Sequence, residues 1–212
     1  MNGGKFLDVG CGSGEFLIIM NLLGMDSYGI EPGKYDQKFV TEHNLKISKS
    51  TLNEIKYPSE FFDVVTLNHV FEHVNNPTET LKEIYRITKK GGTVILSVPQ
   101  SDSLMYKLFK QYWVNLDTPR HLYIYSPKTL KQYAEKVGFV VKRKIYNSGY
   151  IQFIGTYAYF TNKYRTNKIY LSDKSFIYNP FLRILFTPLA LIFNLLRIGD
   201  VVDFELEKLS NQ

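Results

Sequence analysis

Residues 69–73 read "HVFEH", two histidines four apart with Glu72 beside the second. If all three lay on one helix, His69 and His73 would share a face, the arrangement with which H-x-x-E-H metalloproteases hold zinc. A second constellation, "LDVGCGSG", places Gly10, Gly12 and Gly14 between an apolar run and a helical stretch. Such glycines let the chain turn sharply and let a ligand lie against bare backbone, with the N–H groups of the following helix behind it. A dinucleotide fingerprint would read G-x-G-x-x-G, but the third glycine arrives one residue early and position 15 is Glu, whose charge would repel a pyrophosphate. The turn better suits a ligand whose near end is a zwitterionic amino acid. Glu31 follows, 17 residues after Gly14. A carboxylate there can accept both hydrogen bonds of a ribose diol. Cys11, inside the turn, reads as a small filler.

The elements that must position these residues are legible from periodicity. Lys5–Val9 is a short strand, Glu15–Leu23 a buried helix closed by Gly24, and Ser27–Ile30 a second strand ended at Glu31-Pro32-Gly33. Tyr35–His43 reads as helical and Lys46–Ser48 as a weak third strand. Phe61–Leu67 and Thr93–Val98 are β-branched apolar runs of the kind buried on both faces. Between them Pro77–Thr88 is an amphipathic helix, stopped by Gly91-Gly92. Strand and helix alternating on short connections predict an α/β fold, a doubly wound, Rossmann-like sheet. Ligands of such sheets collect at the carboxyl ends of the strands, where Gly10–Gly14, Glu31, Asn68-His69 and Pro99 all fall. For "HVFEH" this predicts a strand end and a loop, not a protease helix.

At 212 residues, 44% apolar and 22% charged, the sequence suits one globular domain, 1–212, with its own core. The single cysteine excludes a disulfide framework and a multi-thiolate zinc site. Its N-terminus lacks the basic and apolar regions of a signal peptide, so the expected location is cytoplasmic. The net charge of +6 comes from residues 101–170, where 12 Lys and Arg face 3 Asp and Glu. That is either a solvated face or a surface for an anionic partner. No nucleic-acid-binding signature accompanies it.

In order and spacing, "LDVGCGSG", "GIEP", "FFDVVTLNHVFEHVNNPTETLKEIYRITKKGG", "SVP" and "DTPRHLYIYSPKTL" make the chain resemble class I S-adenosylmethionine-dependent methyltransferases, in a small-molecule subgroup similar to quinone- and glycan-pathway enzymes. The likeness runs from about Lys5 to Tyr146 and resumes at Gly199–Phe204. It implies a seven-stranded sheet with the last strand antiparallel, Val140–Tyr146 being the sixth strand and Val201–Leu206 the seventh. It also implies S-adenosyl-L-methionine as cofactor. Asp8 and Gly10, Cys11, Gly12 and Gly14 would face the methionine end, Glu31 the ribose, Thr51 and Leu52 the adenine, and Asn68 and His69 the methionyl amine and departing methyl group. Some members bind a divalent ion where His69, Glu72 and His73 stand. Here a histidine replaces a carboxylate, and no metal is expected.

Transfer from a sulfonium is an in-line displacement that needs alignment and a dry pocket. An oxygen nucleophile also benefits from a base, for which the resemblance implies His69 and His121. It makes Arg120 a partner for a substrate anion, a helix-capping or loop-packing role being the alternative for both Arg120 and His121. Trp113, with Tyr112 and Tyr123, either walls the pocket or fills the core. The resemblance also implies helices ahead of the first strand, where only four residues stand. Either the chain begins short of them or another element covers the cofactor.

Residues 149–198 form a helical insertion before the last strand. Its end, Phe181–Ile198, is apolar nearly all round, broken by Arg183, Pro188, Asn194 and Arg197. Three readings stay open: packing on the substrate side, a homodimer interface, or peripheral membrane contact assisted by Lys163, Arg165 and Lys168. The expected function is methylation of a small-molecule acceptor at oxygen, on a glycan, lipid-linked or quinone-like intermediate. The alternatives are a non-catalytic S-adenosylmethionine-binding module and a nicotinamide-dependent oxidoreductase.

Overall fold

The computed structural model describes residues 3–164 and 178–209, so Arg165 and Lys168 lie outside the described residues. Seven strands pair in the order β3-β2-β1-β4-β5-β7-β6. In chain order these are β1 Lys5–Val9, β2 Asp26–Ile30, β3 Lys46–Ser48, β4 Phe62–Asn68, β5 Thr88–Pro99, β6 Phe139–Tyr146 and β7 Val201–Lys208. β1 runs parallel to β2 and β4, β2 to β3, and β4 to β5. The sheet is mixed, with its last strand antiparallel. The helices are α1 Glu15–Leu22, α2 Gln37–Glu42, α3 Pro77–Ile87, α4 Leu104–Phe109, α5 Pro127–Val137, α6 Ile151–Asn162 and α7 Pro180–Leu195.

The chain forms two compact units. The first comprises Met1–Ser97, Leu130–Arg143 and Phe204–Gln212, the second Val98–Thr129 and Lys144–Asp203. In the first unit, Phe6, Leu7 and Val9 of β1 are buried, as a central strand flanked on both sides requires. Leu17 packs against Phe6 and Met25. The Asp26 carboxylate, at the start of β2, takes Lys5 Nζ at 2.8 Å and Lys46 Nζ at 2.5 Å, and these two ammonium groups hold it well below the usual carboxylate range. Asn76 caps α3 by accepting from Glu79 N–H, Pro77 follows, and Leu81, Ile84 and Ile87 make the buried stripe. The carboxyl end of that helix carries the partial negative charge of its dipole, and there Lys208 Nζ donates to Tyr85 O at 2.9 Å and Thr88 O at 2.8 Å.

Three elements depart from expectation. α1 buries only Leu17 among its eight residues, and Phe16, Ile19 and Leu22 are exposed. Its all-round apolar pattern predicted burial on every side, but only one face meets the sheet. β5 starts at Thr88 rather than Thr93, because Gly91-Gly92 forms an irregularity inside the strand, with Gly91 at φ +75°, instead of separating helix from strand. The helix expected over Tyr35–His43 is trimmed to Gln37–Glu42, beginning after Asp36, whose carboxylate accepts from Phe39 N–H.

In the second unit, Met105, Trp113, Phe153 and Ala190 are the buried centre, with Phe186 and Phe193 packed against them. Asp200 is fully buried among them, accepting from Trp113 Nε1 at 2.5 Å and Asn115 Nδ2 at 3.3 Å. Burial pushes its carboxyl up to about 6, against the opposing pull of these donors.

Candidate cofactor cavity

β1 ends at Val9, and the chain turns on Gly10, Gly12 and Gly14, at φ +76°, +55° and +88°. No Cβ fits at Gly10, where it would stand 2.3 Å from Val70 Cγ2. At Gly14 it would meet Leu45 and Ile47 methyls at 2.8 Å, so this glycine faces the core. Gly12 differs: a Cβ there would meet nothing within 4 Å. The turn therefore offers bare backbone to open space at Gly12. Gly10 N–H and Cys11 N–H both donate to Ile30 O, at 2.7 and 3.1 Å, and tie the turn to the end of β2.

The next residue, Glu31, is oriented from both sides. Its Oε2 accepts from Gly12 N–H at 3.1 Å and its Oε1 from Gly33 N–H at 2.7 Å. A carboxylate has about four lone-pair sites, so two remain for a diol. Asp8 is buried, with its Oδ1 accepting from the Thr66 hydroxyl at 2.6 Å. Burial raises its carboxyl to about 6, Thr66 opposes that, and the charge of Glu31 adds to it. Burial likewise pushes the Cys11 thiol up to about 12. That agrees with a filler role and not with a nucleophile.

A cavity of about 550 Å³ opens at these strand ends. Of the residues expected to hold a cofactor, it brings together Gly10, Glu31, Thr51, Leu52, Asn68 and His69. Asp8, Cys11, Gly12 and Gly14 do not line it. The volume lies within the ordinary range for a ligand of nucleoside size. The backbone of Gly10 and the two spare acceptor sites on Glu31, with no Lys or Arg lining the cavity among the described residues, fit an adenosyl group with a zwitterionic tail. Thr51 is fixed by Glu54, which accepts from its N–H at 2.6 Å and its hydroxyl at 2.9 Å.

Sequence reasoning missed the opposite wall: Val70, His73, Val74, Asn75, Asn76 and Thr80 also line the cavity. The available signal was "VNNP", a helix cap a few residues beyond a strand end, whose asparagines could have been read as cavity wall.

His69 follows β4 at φ +54°, with its N–H on Ser97 O at 3.0 Å. The chain then makes a single 3-10 turn, Phe71–His73. His69 precedes that turn, so the two histidines do not share a helix face, in accord with the strand-and-loop reading of "HVFEH". The pair the structure does build is His69 with Glu72, whose Oε1 lies 3.3 Å from His69 Nδ1. Glu72 is fully buried while His69 is open to the cavity.

His121, Arg120 and Trp113 belong to the second unit. Asn115 O lies 2.7 Å from His121 Nδ1, and the Arg120 guanidinium pairs with Asp117 at 2.6 Å. Trp113 is a core residue of that unit, 1% exposed and bonded to Asp200.

A family model described as "Methyltransferase domain" matches residues 2–144. The chain is 34% identical over 115 residues to a ubiquinone biosynthesis O-methyltransferase of Pseudomonas putida, covering 50% of this chain and 49% of that protein. It is 31% identical over 121 residues to the mitochondrial ubiquinone biosynthesis O-methyltransferase of Rattus norvegicus, covering 51% of this chain and 34% of that one. The chain thus spans about half the length of these curated relatives, or less. A crystal structure of a SAM-dependent methyltransferase from Archaeoglobus fulgidus superposes with a TM-score of 0.61 at 22% identity, over 97% of this chain and 86% of that one.

Proposed function

The chain belongs to the class I S-adenosylmethionine-dependent methyltransferases, and we propose that it transfers a methyl group from S-adenosylmethionine to an oxygen of a small-molecule acceptor. The observation that carries this reading is the convergence of the glycine turn and Glu31 on one cavity, with Gly12 N–H itself holding the Glu31 carboxylate. Bound, the cofactor supplies an activated methyl group on a sulfonium whose charge disappears as the methyl leaves.

The residues of this chain bind and orient. Glu31 accepts from the ribose hydroxyls, while Thr51 and Leu52 flank the base. The backbone at Gly10 and the Asn68 side chain face the amino-acid end, while Gly12 N–H fixes the Glu31 carboxylate. Asp8 acts from beneath, locking β1 to β4 through Thr66. His69 is the general base. Glu72, buried behind it, holds the Nδ1 proton and leaves Nε2 directed to the acceptor's hydroxyl, the logic of a base oriented by a carboxylate. A quinone-like ring is the first acceptor class to test, supported by the two relatives named above, with glycan and lipid-linked hydroxyls next.

Calorimetric titration with S-adenosylmethionine and, separately, with NAD tests the cofactor. The expected outcome is binding of the former alone, with Glu31→Ala raising its Kd by about 10²–10⁴-fold, the loss of two charge-assisted hydrogen bonds. A folded protein that ignores S-adenosylmethionine would overturn the reading. Release of S-adenosylhomocysteine in the presence of catechol-type acceptors then tests transfer.

A further inference from the structure

The helix α7, Pro180–Leu195, carries apolar side chains on both of its faces. Leu182, Phe186, Ala190 and Phe193 turn inward, Ala190 being buried and the two phenylalanines packed on the core of the second unit. The outer face is as apolar: Phe181, Ile184, Leu191 and Leu195 are between 63% and 82% exposed. A continuous apolar face of this size on a surface helix marks an interaction site. The helix lies outside residues 2–144, so the family match gives no account of it.

We propose that α7 lies flat in the surface of an anionic lipid bilayer. Its outer side chains would sit among the acyl chains, with Arg183 and Arg197, both exposed, at the headgroups. Charge selects this occupant. Over residues 178–199 there is no acidic side chain. Counted over the sequence, the first unit holds 15 Lys and Arg against 15 Asp and Glu, whereas the second holds 11 against 5, so the entire net charge of +6 belongs to the unit that carries α7. A second copy would bring two such surfaces together and repel, while a bilayer rich in anionic lipid supplies the counter-charge.

Length decides the orientation. Sixteen residues span ~24 Å, less than the ~30 Å hydrocarbon core, and Pro188 interrupts the helix. Among the described residues no helix is long and apolar enough to cross a membrane, so α7 lies in the interface plane. Between α6 and α7 lies a cavity of about 430 Å³, lined among the described residues by Phe153, Ile154, Tyr157, Leu182, Leu185 and Phe186, none of them charged. The end of an acyl chain can enter it without stripping water from a charge. Tyr157 and Tyr164, exposed on and just after α6, add the amphipathic rings that membrane interfaces favour.

Co-sedimentation of the full chain with vesicles of phosphatidylcholine, with and without phosphatidylglycerol, tests the proposal. Binding at least about tenfold stronger to the anionic vesicles is expected. It should weaken as salt rises from about 0.1 M to about 1 M and the screening length falls from about 10 Å to about 3 Å. The triple variant Ile184→Glu, Leu191→Glu, Leu195→Glu should lose vesicle binding by about a hundredfold while keeping its melting temperature. The double variant Arg183→Ser, Arg197→Ser should weaken it only on anionic vesicles. No binding at low salt, or binding that the triple variant retains, would overturn the proposal. So would a dimer in light scattering that the triple variant dissolves, since a second copy would then cover the face. Calorimetry with S-adenosylmethionine on the same samples keeps this outcome separate from that of the cofactor cavity.

Discussion

His69 occupies the left-handed region of backbone space at φ +54°, where non-glycine residues are uncommon and histidine is among the more tolerated. The same conformation aims its ring at the cavity and at the buried Glu72. Replacing His69 by Ala should lower kcat by about 10²–10⁴-fold and leave the calorimetric Kd for S-adenosylmethionine unchanged. A parallel loss of cofactor affinity would instead make His69 a binding residue. Glu72→Gln should lower kcat less and displace the pH–rate profile, because the amide orients the ring without compensating its charge. The glycines of the turn separate two roles that sequence alone lumps together. Gly14→Ala must push aside Leu45 and Ile47 at an unfavourable φ, and should destabilise by roughly 1–3 kcal/mol. Gly12→Ala meets no protein atom. Its melting temperature should fall less, and the larger effect should appear in cofactor affinity. Thermal melts and titrations on the two variants distinguish these outcomes.

Among elements, α1 shows how far hydrophobic pattern carries. "EFLIIMNLL" announces a helix, and the helix is there, but its apolar character does not say which faces another element covers. Only Leu17 is buried, whereas Leu22 is 82% exposed. Leu17→Ala should cost about 2–5 kcal/mol, and Leu22→Lys should stay within about 0.5 kcal/mol; denaturant unfolding checks both. The α3 cap is a similar test, since Asn76→Ala removes the acceptor for Glu79 N–H and should cost about 1 kcal/mol. The central strands were legible because residues buried on both faces leave an unbroken apolar run. Thr88–Lys90 were not, because Gly91-Gly92 reads as a stop when it is an irregularity that β5 passes through. The ends of β1, β2 and β4 were legible as one site, since strand order in a doubly wound sheet follows from connection length and handedness. The wall at Val74–Asn76 was not, because nothing local distinguishes a helix cap beside a cavity from one at the surface.

At the scale of the molecule, two buried carboxyls set the response to pH. Asp8 and Asp200 are each raised to about 6 by burial, from an ordinary value near 3.8. The folded chain therefore holds protons that the unfolded chain has released between about pH 4 and pH 6. Stability from this source is full below pH 4 and is lost as pH rises through 6. Asp26 and Asp63 are held below their ordinary values, chiefly by Lys46 and Lys5 in the first case and by Lys89 against burial in the second, and act oppositely. Their contribution is present above pH 4 and lost as pH falls. Both exposed pairs are weak. Scanning calorimetry should accordingly find the highest melting temperature near pH 4 and a decline between about pH 4 and pH 6. That decline should flatten in Asp8→Asn and Asp200→Asn. A melting temperature that rises steadily to pH 7 would contradict the burial of these groups.

The chain's one tryptophan, Trp113, is sealed in one unit, and its one cysteine, Cys11, is shut inside the other. Nature has in effect installed two reporters without any labelling. Indole emission will follow the opening of the helical unit, and the rate at which a thiol reagent traps Cys11 will follow the opening of the unit that holds the larger cavity. If the two clocks disagree, the halves of this chain come apart in sequence, and whichever runs slower shows where its kinetic resistance is stored.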